Sequence, residues 1–99
     1  MRRARAADAF QTATEQLRAG DYADVIKNAS SALEKSGARS EDWSLLLVEA
    51  LMTVGKYPEA QVALTNGLAK NPRSIRLRWT GQEVARYNGQ PEQAKDYLD

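Results

Sequence analysis

The sequence predicts an all-α fold, an α-solenoid of repeated helix pairs, and three observations carry that prediction. A glycine-led turn recurs as Gly20-Asp21-Tyr22, Gly55-Lys56-Tyr57 and, in weaker form, Gly89-Gln90-Pro91, at steps of 35 and 34 residues. Apolar residues between these glycines fall three and four apart, the spacing of one helix face. Ala, Leu, Glu, Gln, Lys and Arg are abundant, aromatics are few and β-branched runs are almost absent, a composition that favours helix through side-chain entropy.

The recurrence extends beyond the glycines. Val25, Ala60 and Ala94 share one offset, Ala29, Leu64 and Leu98 another, and Ala32-Leu33 matches Gly67-Leu68. A period in this range marks a supersecondary unit that stacks on its own copies. After the first two glycines the apolar faces are Tyr22, Val25, Ile26, Ala29 and Leu33, then Tyr57, Ala60, Ala63, Leu64 and Leu68. Before the glycines they are Phe10, Ala13 and Leu17; Trp43, Leu46, Leu47, Ala50, Leu51 and Val54; and Leu77, Gly81 and Val84.

Helices are predicted near 4–18, 22–35, 41–54, 57–70, 74–87 and 91–98. Asp21 is expected to cap the second, its carboxylate accepting from free backbone N–H groups. Ser40 with Glu41 and Asp42 is expected to open the third, and Pro58 and Pro91 fit first turns. Ser36-Gly37 and Asn71-Pro72 read as stops. Asn66-Gly67 alone would signal a hairpin. Gly67, however, lies one repeat after Ala32 inside a helical pattern, where a small residue would let helices approach closely.

The 99 residues form one predicted domain, 1–99, with repeats of about 5–38, 40–73 and 74–99, the last truncated. Fourteen basic and thirteen acidic residues leave a net charge of +1, without the strong positive field of a nucleic-acid binder. Cys and His are absent. Thiolate metal sites and the usual general base are therefore missing, and no metal or cofactor is expected. No window approaches the roughly 18 apolar residues of a membrane span, and the basic start is too polar downstream for a signal peptide.

The helix-pair period, the Gly-Asp-Tyr turn, the small-then-large apolar spacing and the closing Asn-Pro together resemble the tetratricopeptide repeat. Copy two carries the resemblance best, in Leu47, Val48, Leu51, Gly55, Tyr57, Ala60, Leu64, Gly67, Leu68 and Pro72. Copy one departs at Thr12 and Gln16, and copy three is shifted by one residue in its first helix. The resemblance covers roughly 6–98. It implies a right-handed superhelix whose concave groove, lined by the first helix of each pair, holds a peptide or helix of a partner.

Aligned on their glycines, Phe10, Leu45 and Trp79 form one row that the resemblance places in the groove, and Leu17, Met52 and Arg86 form a second. A one-residue slip rotates a side chain by about 100°, so Phe10 and Trp79 fit the core as well. Glu49 and Glu83 share a position on first helices, with Glu15 also on a first helix; their spacing on separate helices of an open groove argues against enzymatic chemistry. Lys70, Arg73, Arg76, Arg78 and Arg86 gather around the third repeat. They read either as a rim for an acidic peptide or as a solvated face. Chaperone-binding members of the family clamp a carboxylate with basic groove residues; here Phe10, Thr14 and Leu46 take three such places, Thr80 a fifth, and only Arg76 is compatible.

The expected function is therefore a protein–protein interaction module, with Phe10, Leu17, Leu45, Glu49, Met52, Arg76, Trp79, Glu83 and Arg86 as partner-binding residues. The alternative is a structural or self-association scaffold unit. Its basis is the end Tyr97-Leu98-Asp99, which lacks the polar outer face of a terminal repeat and fits either a piece of a longer chain or a homo-oligomer contact.

Overall fold

The computed structural model describes residues 6–35 and 39–89. They form five helices: α1 (Ala6–Ala19), α2 (Tyr22–Glu34), α3 (Ser40–Thr53), α4 (Tyr57–Lys70) and α5 (Ile75–Tyr87). The chain is all-α, with no strand among the described residues. The helix expected at 91–98 lies outside them. Residues 66 and 67 are helical within α4, so the repeat pattern prevails over the local hairpin signal.

The helix ends follow local chemistry, though not always that of the expected residues. Gly20 and Gly55 adopt φ of 88° and 82°, a left-handed conformation that costs other residues about 1–2 kcal/mol. Each closes the same pair of bonds. Gly20 N–H donates to Leu17 O (3.2 Å) and Asp21 N–H to Gln16 O (2.9 Å); Gly55 N–H donates to Met52 O (3.1 Å) and Lys56 N–H to Leu51 O (2.8 Å). These are Schellman closures, which satisfy carbonyls the helix leaves free. The turn thus repeats in geometry as well as in sequence.

One capping expectation needs correction. Asp21 occupies the N-cap position of α2, but its side chain makes no capping hydrogen bond. Ser40 opens α3 as expected, with Glu41 and Asp42 in the first turn and Arg39 as N-cap at φ 70°. The Ser40 hydroxyl accepts from Asn71 Nδ2 at 3.1 Å. A cap does form at Ser74, whose Oγ accepts from Leu77 N–H at 3.0 Å and donates to Glu41. The α5 start is therefore fastened to the first turn of α3.

Consecutive helices pack on one another, α1 also meets α3, and α3 also meets α5. No other helix pair is in contact, so the assembly is elongated, 49 × 27 × 18 Å. Seven of the fourteen α3 residues are buried, Trp43, Ser44, Leu46, Leu47, Val48, Ala50 and Leu51, too many for one stripe. A helix apolar on most sides has to be enclosed by neighbours. Around it lie Val25 and Ala29 of α2, Ala60 and Leu64 of α4, and Leu77 and Val84 of α5, all fully buried.

At Gly67, α4 approaches α3 closely. A Cβ on Gly67 would stand 2.9 Å from both Ser44 Cβ and Ser44 Oγ. Asparagines then tie the ends of successive helices. Asn71 Nδ2 donates to Gly67 O and to Ser40, and Asn88 Nδ2 donates to Val84 O and Tyr57 O, each at 3.0–3.1 Å.

Gly67→Ala separates packing from propensity. Alanine gains about 1 kcal/mol of helix propensity. Overpacking against the Ser44 Cβ, which cannot swing away, costs about 1–3 kcal/mol. Urea denaturation should show net destabilisation for Gly67→Ala, and a loss of about 1 kcal/mol for Gly55→Ala from its backbone conformation alone. A Gly67→Ala protein more stable than the parent would mean that α3 and α4 have room to spare.

Candidate functional site

A cleft of about 820 Å³ opens between α3 and α5. Leu45, Val48, Glu49, Met52 and Thr53 recur three and four apart and form one face of α3. Ile75, Trp79, Glu83 and Tyr87 recur every four residues and form one stripe of α5. Val48 and Val84, both fully buried, make the floor. At one end Tyr57 packs against Tyr87, ring centroids 5.2 Å apart.

The stripe on α5 is unusual in its exposure. Trp79 is 61% exposed, Ile75 68% and Tyr87 55%. By contrast Trp43, the other tryptophan, is 4% exposed and belongs to the core. Glu49 and Glu83 are exposed on the same two helices and make no side-chain hydrogen bond or ion pair among the described residues.

Six of the nine sequence-derived candidates line this cleft: Leu45, Glu49, Met52, Arg76, Trp79 and Glu83. Phe10, Leu17 and Arg86 do not. The row Phe10–Leu45–Trp79 is interrupted because α1 turns Phe10 toward Trp43, edge to face at 5.1 Å and 88°. The Arg39 guanidinium covers the Phe10 ring at 4.2 Å. Leu17 is half-buried against the core, and Arg86 is exposed outside the cleft. Ile75 and Tyr87 went unselected in the sequence, although their four-residue steps from Trp79 and Glu83 mark the stripe.

The basic residues around α5 are partly engaged within the chain. Arg76 Nη1 lies 3.0 Å from Asp42 Oδ1 and 3.8 Å from Glu41 Oε1. Arg78 donates to Pro72 O at 2.6 Å, and Lys70 to Leu33 O at 3.4 Å. Three of the five cations are thus engaged within the chain. Glu41 and Asp42, read in the sequence as acids at a helix start, also act as partners for the start of α5.

Among the described residues no group of His, Cys, Asp or Glu is arranged to hold a metal ion, and no helix is long and apolar enough to cross a membrane. A second groove of about 410 Å³ lies where α2 and α4 fail to meet, floored by Ser44 and Leu47. None of the strongly exposed large apolar side chains lines it.

Asp42 joins the two walls electrostatically. Burial alone would raise its pKa. Hydrogen bonds and charge from Arg39 and Arg76 outweigh that and hold the carboxyl below its ordinary value. Stability from this lowering is full above the unfolded pKa of about 3.9 and is lost as the pH falls through the folded value. The amount is small, about 0.2–1 kcal/mol for pairs this exposed. In a side-chain carboxyl NMR titration Asp42 should have a midpoint below that of unfolded aspartate, and Arg76→Ala should raise it. An unchanged midpoint would show that the ion pair does not persist in solution.

Comparison of the chain with protein-family models, with curated proteins and with solved structures gives no match.

Proposed function

We propose that the chain is a protein–protein interaction module, a tetratricopeptide-like solenoid that binds rather than catalyses. In this reading the cleft between α3 and α5 holds a peptide or helix of a partner. One observation carries it: a tryptophan and an isoleucine stand more than half exposed on the wall of a cleft whose floor is otherwise apolar. Exposing such a patch forfeits hydrophobic stabilisation, and contiguous apolar surface of this kind marks interaction sites. Tryptophan is also the residue most enriched where binding energy concentrates.

The solenoid reading has its own support. Each helix touches only those one or two places away in the chain, as in quasi-one-dimensional repeat proteins. The left-handed glycines recur at the repeat interval, Gly89 included at φ 72°. First helices α1, α3 and α5 adjoin one another, while second helices α2 and α4 stay apart. That asymmetry supports a curved stack with the cleft on the side of the first helices.

Peptides selected from a displayed random library on the intact protein test this reading. Trp79→Ala combined with Leu45→Ala should weaken the selected peptides by about 30-fold or more, the loss of one or two hot-spot contacts. Helical circular dichroism and the near-ultraviolet signal of Trp43 should persist, reporting an intact core. Selection without binders, or binders indifferent to both substitutions, would reject the cleft as the site. Concentration-dependent dimers abolished by Trp79→Ala would instead assign it to self-association.

A further inference from the structure

The cleft has a charge opposite to the one its sequence neighbourhood advertises. Five basic residues crowd positions 70–86, yet the only one lining the cleft is Arg76, already neutralised by Asp42 and Glu41. Glu49 on one wall and Glu83 on the other have no such counter-charge among the described residues. Around them are Leu45, Met52, Ile75 and Trp79, so an arriving cation would find two free carboxylates set in apolar surface. Charge–charge attraction is stronger there than on an open face, because a bound partner excludes water and lowers the local dielectric.

The walls also limit the form of the occupant. Both are helices whose backbone groups are already paired, so neither offers an edge for an extended strand to join. Thr53, the hydroxyl nearest Glu49 in sequence, donates to its own helix at Glu49 O. A buried extended segment would leave its backbone polar groups unsatisfied, at a cost of about 1–3 kcal/mol for each. A helix pairs its own. The apolar steps Ile75, Trp79 and Tyr87 run along about 18 Å of α5, the length of three or more turns of a partner helix.

From these observations we infer that the cleft takes a cationic amphipathic helix, its apolar face on Trp79, Ile75, Leu45 and Met52 and its Lys or Arg side chains on Glu49 and Glu83. The inference rests on the reading of the cleft as a docking site and adds the charge and form of what docks. An acidic peptide, the ligand a basic rim would select, is disfavoured by the same two carboxylates.

Two labelled synthetic helices test it by fluorescence anisotropy. They share length and apolar residues and differ in having Lys or Glu at every polar position. The Lys peptide should bind at least about ten-fold more tightly, and added salt should reduce the difference, since exposed pairs are screened over about 8–10 Å. Glu49→Gln with Glu83→Gln should abolish the preference, and Glu49→Lys with Glu83→Lys should reverse it. All four are exposed substitutions that leave the core untouched, with Trp43 ellipticity as the check.

Equal or tighter binding of the Glu peptide would overturn the inference, as would a Lys preference that survives the lysine substitutions. Trp79→Ala tells two failures apart. If it abolishes binding of both peptides while neither is preferred, the docking site stands and its charge selectivity falls. If it changes neither peptide, the docking site falls as well.

Discussion

The structure depends on the burial of α3. With Trp43, Leu46, Leu47, Val48, Ala50 and Leu51 withdrawn from water, this helix has to be covered on most of its sides. Each such side chain contributes about 1.5–3 kcal/mol when buried, far more than helix propensity supplies. The other four helices are where they are because each covers part of it. Gly67 lets α4 come within contact of Ser44, and the short turn at Gly55 returns the chain soon enough for α4 to lie against α3 rather than beyond it.

That central enclosure also accounts for the cleft. Covering α3 with α5 brings Leu77 and Val84 into the core through one face of α5. The adjoining face, with Ile75, Trp79, Glu83 and Tyr87, lies beside the α3 wall with nothing laid over it among the described residues. The exposed tryptophan follows from that geometry: one face of α5 is taken up by the core, and Trp79 stands on the face beside it. Under the proposed function, a partner covers the remainder.

Much of the fold was legible because the repeat made local signals vouch for each other. Gly20 and Gly55 needed no tertiary information; left-handed closure of a helix favours glycine, and the chain provides it at the same step twice. Asn66-Gly67 shows the converse, a dipeptide whose isolated preference is overridden by burial against Ser44. The caps were less legible. Asp21, Ser40 and Ser74 are all chemically able to cap, and which one does so depends on what competes for the side chain. Ser40 is drawn to Asn71, whereas Ser74 is fixed by Glu41 from another helix. The cleft was legible to the extent that helical periodicity fixes which α3 and α5 residues share a side. Phe10 lay beyond that, because its orientation is decided by contacts with Trp43 and Arg39 rather than by repeat register.

Electrostatics is where reading along the chain misled most, and the reason is general. A sequence places charges by number, whereas a field is made by the charges that remain unpaired where water is scarce. Here a net charge of +1 and a basic stretch from Lys70 to Arg86 coexist with a cleft carrying two free carboxylates. Three of the five cations are committed: Arg76 to the acids at the start of α3, Arg78 and Lys70 to backbone carbonyls. The first turn of α5 faces the first turn of α3 through Ser74–Glu41 and Arg76–Asp42. Charges there are spent between the two helices, and those at mid-helix, Glu49 and Glu83, are left to meet whatever arrives from outside.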